Sequence, residues 1–365
     1  MKAEHTITVH RFEASLFPVN AYLVETDTSV IVVDATLGVS DGKTLRSRVE
    51  ALRKPLAAII ITHAHPDHYG GVSALLGAAD VPVYAVAGVN DVIRRDDAAK
   101  EQILRPMFGD EWPATRRFPS RIVQGGERMT IADAVFSVTD LGPGESPHDS
   151  LWRLESDGSP QAFVGDLVYS HMHAFLADGF YDHWLVNLER STRELPADAM
   201  LFMGHGQPVA GHAILEWQAN YIRRFLEVLR SAVEPSGLKG DALVDAVTAR
   251  MREFLPTDDL VFLMQLSVEP MRLRLGRRFM DATSGMAAVN AAAMPIMAVP
   301  YTSGAPEVEA LLRLDRAGLR VEEVAVEMRP RASGESRLHG AVAWKLVVTV
   351  IGTLIFFGWL RHRRG

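Results

Sequence analysis

Four side chains able to hold a metal stand in one short stretch, IITHAHPDHYGG: His63, His65, Asp67 and His68. Imidazole nitrogen and carboxylate oxygen are good ligands for Zn²⁺ and related divalent ions. A solvated, His-rich loop is the bland alternative, but ligands this dense would be wasteful as surface decoration. The chain contains no cysteine. Thiolate ligands, disulfides and a cysteine nucleophile are therefore excluded, and any metal must be held by His, Asp or Glu. Ser146 and Ser150 are not in a G-x-S-x-G context, so a serine nucleophile has no support.

The elements that must position these residues can be read from pattern. ITVHRF, NAYLVE and SVIVVDA read as strands, the third apolar throughout as in a strand buried on both faces. DGKTLRSRVEALR reads as a helix, with Asp41 as a possible N-cap. AAIIIT is a short apolar, β-branched strand, and the His-rich turn leaves its end. Gly70 and Gly71 then permit a tight turn and a closely packed helix. Strands alternating with helices predict an α/β sandwich. Residues 90–120 are more polar and read as an insertion, in the manner of a lid. Strand patterns return from 122, and HAILEWQANYIRRFLEVLRSAV is a strongly amphipathic helix. Asp34, at a strand end, either holds a ligand histidine from behind or caps a turn.

The segment 63–68 resembles the H-x-H-x-D-H signature of the metallo-β-lactamase superfamily. The resemblance extends to His148 in GPGESPHDS, Asp166 in FVGDLVYS and His205 in FMGHGQPV. It covers about residues 5–270 and implies a four-layer αββα sandwich with the ligands on loops at one edge. It also implies two divalent ions, zinc first, with iron or manganese as alternatives. His63, His65 and His148 would bind the first, Asp67, His68 and His205 the second, and Asp166 both. A water shared by two such ions is acidified toward neutrality and becomes a hydroxide nucleophile, which Asp67 would help orient as the catalytic carboxylate. Tyr169, His171, His173, His183 and Trp184 are candidates for the substrate pocket, with Tyr181 beside them. The same residues read equally as ordinary core and surface residues, and the His171/His173 pair also reads as a further metal site.

The tail has another character. Residues 276–340, containing DATSG, APEVEALL and RASGES, resemble the C-terminal part of family 2 polyprenyl-phosphate glycosyltransferases, without the nucleotide-sugar half and its D-x-D motif. That implies a small α/β fragment acting as a fusion remnant or membrane tether rather than as a transferase. Residues 341–360 are apolar apart from Lys345, are followed by RHRRG, and are long enough for a transmembrane helix. The N-terminus lacks the apolar run of a secretory signal. The expected organisation is a hydrolase domain over 1–272, the transferase-like segment over 276–340 and the span over 341–360. The hydrolase would then lie on the cytoplasmic side, associated with the membrane through its C-terminal helix.

Charge and composition narrow the function. The formal net charge is −7 and hydrophobic residues make up 48% of the 365. The composition is globular, and no basic excess exists to hold a polyanion, so nucleic acid is not an expected partner. The expected activity is hydrolysis of an ester, thioester, lactone or amide in a small molecule, of the glyoxalase II or lactonase kind. The alternative is a single-iron oxidoreductase of the persulfide-dioxygenase kind.

Overall fold

The computed structural model describes residues 7–155, 159–233, 237–276, 293–298, 310 and 313–314. The transferase-like stretch falls almost entirely outside these residues, and 341–360 wholly outside. Among the described residues no helix is long and apolar enough to cross a membrane.

The chain divides into two compact units, Met1–Arg272 and Leu273–Gly365. Among its described residues the first contains two six-stranded sheets. One is built from β1 (Thr8–Glu13), β2 (Asn20–Glu25), β3 (Val30–Val33), β4 (Leu56–Ile60), β5 (Val83–Val86) and β6 (Arg121–Val123), in that spatial order. Its first three strands are antiparallel, and β3 through β6 run parallel. The other contains β7 (Arg128–Ile131), β8 (Ala134–Gly142), β9 (Asp149–Glu155), β10 (Gln161–Tyr169), β11 (Met200–His205) and β12 (Val209–Ala210), also side by side in chain order. Here only β10 and β11 are parallel. Both sheets are thus mixed, as an α/β chain with short hairpins and longer helical crossovers requires.

The connecting helices are α1 (Val39–Ala51), α2 (Pro66–Tyr69), α3 (Val72–Leu76), α4 (Ala87–Phe108), α5 (Tyr181–Glu194), α6 (Ala213–Val233), α7 (Gly240–Phe254) and α8 (Val261–Gly276). Residues Met294–Met297, in the second unit, form α9. Helix α4 packs on β5 and β6, while α5 and α6 pack on β10. Much of the region read as a polar, lid-like insertion belongs to the 22-residue helix α4. Arg116 ties the following loop back to this helix, donating to both oxygens of Asp97 at 2.6 and 2.7 Å and reaching Glu101 at 2.7 Å. Such a bidentate, half-buried pair is stronger than an exposed one.

Strand β3 is buried at all four positions, as its continuous apolar run requires. Tyr22 from the first sheet meets Phe163 and Phe202 of the second, with ring centroids 5.7 and 5.1 Å apart, and Phe163 stacks on Phe202 at 5.0 Å. The Tyr22 hydroxyl donates to the Met203 carbonyl at 2.7 Å. The Asn20 amide donates to the Met203 and Gly206 carbonyls at 2.9 and 2.7 Å. These bonds pin the end of β11, where His205 stands, to the opposite sheet. Phe163→Ala is expected to cost about 3–5 kcal/mol of unfolding free energy, because the cavity between the sheets cannot collapse. Denaturant titration measures it, and a cost under about 1 kcal/mol would mean that these sheets do not share one core.

Candidate metal centre

Each cluster residue owes its position to a local feature of the chain. Strand β4 ends at Ile60, and Thr62 carries the chain into the site. His65 precedes Pro66, which occupies the first turn of α2, where a missing N–H costs nothing. The short helix then turns Asp67 and His68 toward the same point as His63. Asp166 lies in an irregular part of β10, where the register with β11 shifts on both sides of Gly165. Gly165 itself has φ +52°, a conformation open to glycine, and this turns the next side chain inward. Gly204, before His205, is required for another reason: a Cβ there would fall on Asp166 Oδ1 and 2.6 Å from His68 Cε1.

Among the described residues two groups of metal-ligand type form, His63, His65, Glu145 and Asp166, and Asp67, His68, Asp166 and His205. Within each group the ligand atoms lie within 4.8 Å of one another, and Asp166 belongs to both. His68 Nε2 is 3.4 Å from Asp166 Oδ1, and His205 Nε2 is 3.1 Å from Asp166 Oδ2 and 3.4 Å from Asp67 Oδ2. His63 Nε2 is 3.7 Å from Glu145 Oε2 and 3.8 Å from Asp166 Oδ2.

The far nitrogen of each imidazole is engaged. His63 Nδ1–H donates to Thr62 Oγ1 at 3.1 Å, His65 Nε2–H to Asp178 at 3.0 Å, His68 Nδ1–H to Asp34 at 2.8 Å, and His205 Nδ1–H to the Pro18 carbonyl at 2.6 Å. With those protons placed outward, the lone pairs point into the cluster, the arrangement that metal-binding histidines need. Asp34 serves two of these residues: it also accepts from the Thr62 N–H and hydroxyl at 2.9 and 2.8 Å. Its backbone has φ 61°, uncommon for a non-glycine residue. Of the two roles read for Asp34 from the sequence, support of a ligand histidine is the one its contacts match.

His63 Nε2, His68 Nε2, Glu145 Oε2 and Asp166 Oδ1 are buried without a hydrogen-bond partner. Four orphaned polar atoms converging on one volume would be costly, and divalent cations fit them. The electrostatics of the cluster express the same conflict. Burial pushes the Glu145 carboxyl up to about 8 against the pull of His65. Burial and the His68 charge hold His63 well below its ordinary range. Burial also disfavours charge on Asp166, yet the surrounding imidazoles hold it well below the carboxylate range.

Of the ligand set read from the sequence, His148 lies outside both groups. Its ring sits over Gly88 at the start of α4, where any Cβ would strike it, and its Nε2 donates to Asp140 at 2.7 Å. Glu145, overlooked in the sequence, stands at that point of the cluster. The turn responsible is closed by Asp149, which accepts from the Glu145 and Ser146 N–H groups at 2.7 and 3.1 Å and from the Ser146 hydroxyl at 2.5 Å. This turns Glu145 inward and carries His148 to its other side. The available signal was the Pro143–Gly144 turn directly ahead of a glutamate. Asp178, behind His65, carried no local signal at all.

Of the residues read as pocket candidates, Tyr169 adjoins the cluster: its hydroxyl donates to Glu145 Oε1 at 2.8 Å and its ring stacks on His205 at 4.9 Å. Trp184 is a core residue whose indole donates to the Leu167 carbonyl. His173 is buried between Tyr221 and the Thr257 carbonyl. His171 is exposed and packs on Trp217, and His183 is exposed beside Phe180. None of these four belongs to either ligand group.

With the geometry in view, the likeness to known proteins can be placed. Residues 14–205 match the metallo-beta-lactamase superfamily model, a stretch that contains every member of the cluster. The chain belongs to the metallo-β-lactamase superfamily. Similar proteins include the uncharacterized protein YobT of Bacillus subtilis, 31% identical over 138 residues, covering 37% of this chain and 57% of that protein. Another is the hydroxyacylglutathione hydrolase of Bdellovibrio bacteriovorus, 27% identical over 157 residues, covering 43% and 52%. The chain thus spans about half the length of the curated relatives it matches. A beta-lactamase domain protein from Burkholderia ambifaria shares the fold at TM-score 0.53 and 20% identity, over 72% of this chain and 85% of that one. So does a metallo-beta-lactamase family protein from Thermus thermophilus, at TM-score 0.53 and 20% identity over 74% and 94%. These matches lend no support to the transferase likeness of 276–340.

Removing the support behind one ligand should weaken metal binding without unfolding the site. Asp34→Ala is expected to lower affinity for the more weakly held ion by roughly 10–100-fold. Calorimetric titration of the metal-free protein measures it, and an unchanged isotherm would remove Asp34 from any role in the centre.

Proposed function

We propose that the protein is a metal-dependent hydrolase of acyl compounds, with a thioester as the first substrate class and esters, lactones and amides behind it. The observation that carries this reading is the pair of buried ligand groups sharing Asp166. Its direction toward thioesters comes from relatives described as hydroxyacylglutathione hydrolases. Two divalent cations, when bound, would supply Lewis acidity and a water ionised near neutral pH for attack on the acyl carbon.

The chain's own residues supply the remainder. Four imidazoles and three carboxylates would hold the cations, and Asp34, Thr62, Asp178 and the Pro18 carbonyl keep the rings in register. Asp67 keeps 13% of its side chain exposed, whereas Glu145 and Asp166 keep 0% and 2%. Asp67, the most exposed of the three carboxylates, would be the one to orient the attacking water. Lys100, from α4, donates to the Ala64 carbonyl between His63 and His65. Attachment to the cytoplasmic face of a membrane, and the transferase-like nature of the tail, rest on the sequence of 276–365 alone.

A second reading has one observation in its favour. His63 and His65 stand with two carboxylates, Glu145 and Asp166, and iron accepts such mixed imidazole and carboxylate sets. It predicts one iron per chain and oxygen uptake with a persulfide substrate.

The primary test is hydrolysis of a hydroxyacylglutathione and a panel of lactones by the purified protein, before and after chelation. Activity is expected to vanish with the metal, to return with divalent ions, and to be absent in Asp166→Ala. Activity that persists after complete chelation, or no hydrolysis of any acyl substrate by metal-loaded protein, would overturn the reading.

A further inference from the structure

Resting on the reading of this cluster as a metal centre, we propose that Glu145 is the third protein ligand beside His63 and His65, and that its carboxylate shifts the centre's selectivity from zinc toward iron and manganese.

The position of Glu145 is built rather than incidental. Its side chain is fully buried. One oxygen, Oε1, accepts the Tyr169 hydroxyl at 2.8 Å, which leaves the other free to point inward. That other oxygen, Oε2, has no hydrogen-bond partner, although it lies 2.9 Å from His65 Nδ1 and 3.7 Å from His63 Nε2. A short approach of ring nitrogen and carboxylate oxygen without hydrogen-bond geometry is what two ligands of one ion would present to each other. The backbone is fixed as firmly, because the Glu145 N–H donates to the buried Asp149 carboxylate at 2.7 Å.

The selectivity follows from donor type. With Glu145 in place, the first group offers two imidazoles and two carboxylates, and the second group, His68, His205, Asp67 and Asp166, offers the same. The two centres are thus matched in donors. Replacing imidazole by carboxylate moves a site toward the harder metals, since carboxylate suits manganese, and iron accepts mixed imidazole and carboxylate sets, whereas three imidazoles suit zinc. Charge acts in the same sense. Three carboxylates offset three of the four positive charges of two divalent ions, and in a buried site that balance is little screened. The centre is less electrophilic for it and tolerates an ion of higher charge.

The test compares the wild type with Glu145→His and Glu145→Gln. Metal-free protein is offered equimolar Zn(II), Fe(II) and Mn(II) without oxygen, desalted, and analysed for bound metals by mass spectrometry. Glu145→His is expected to raise the ratio of zinc to iron plus manganese by roughly tenfold or more. Glu145→Gln, close in shape, is expected to lose one of the two ions. In manganese-loaded protein it should convert the spin-coupled resonance of a metal pair into that of an isolated ion. An unchanged metal ratio in Glu145→His overturns the selectivity, and two coupled ions in Glu145→Gln overturn the ligand assignment. Where Glu145→His fails to fold, the Glu145→Gln measurement still decides whether the carboxylate is a ligand. Wild-type protein that binds metal as described but hydrolyses no acyl substrate would sink the hydrolase reading and leave this one standing.

Discussion

Lone pairs of buried imidazoles and carboxylates face one another across a volume too small for any of them to avoid the rest. That arrangement is unstable without positive charge at its centre, because each orphaned polar atom carries its desolvation cost uncompensated. The surrounding structure serves to maintain it. Hydrogen bonds behind His63, His65, His68 and His205 prevent the rings from rotating away to find partners. The glycine at 204 keeps clear the space that Asp166 occupies between the two groups. The positive φ at Asp34 and Gly165 shows the backbone bent to the same end.

The two sheets matter to the site chiefly through their ends. His63 follows β4 of the first sheet, while Asp166 and His205 lie on β10 and β11 of the second. Any slip between the sheets would separate the ligands, and two features resist it. The aromatic cluster of Tyr22, Phe163 and Phe202 fills the space between the sheets. The bonds from Asn20 and Tyr22 to β11 then fix the position along it. Core packing here is therefore also positioning, since a shift of about 1 Å is large beside the tolerance of a metal–ligand distance.

Within the superfamily frame, the 142–150 turn gives this chain its own character. A histidine is present in it, but Asp140 and the space over Gly88 claim that ring. A glutamate takes the inward position, held by Tyr169 on one side and presented by the Asp149 turn from below. With that side chain inward, the first ligand group carries two imidazoles and two carboxylates.

The amino-acid sequence by itself determined the superfamily, the α/β class, and the ligand-type residues His63, His65, Asp67, His68, Asp166 and His205. Each of those is flagged by neighbours in the chain: the dense H-x-H-x-D-H run, the Gly-Asp turn and the Gly-His-Gly turn. It also exposed Asp34 as a residue worth weighing, through its place at a strand end. Only the tertiary structure decided between Glu145 and His148, which stand three residues apart on one turn. Which of them faces inward depends on Asp149 drawing the turn closed and on room left by Gly88, a residue remote in sequence. The same holds for Asp178, for the structural burial of His173, and for residues 90–120, whose polar composition concealed a helix. Local spacing encodes which side chains leave a strand together, whereas the direction in which a turn aims them is set by contacts from elsewhere in the chain.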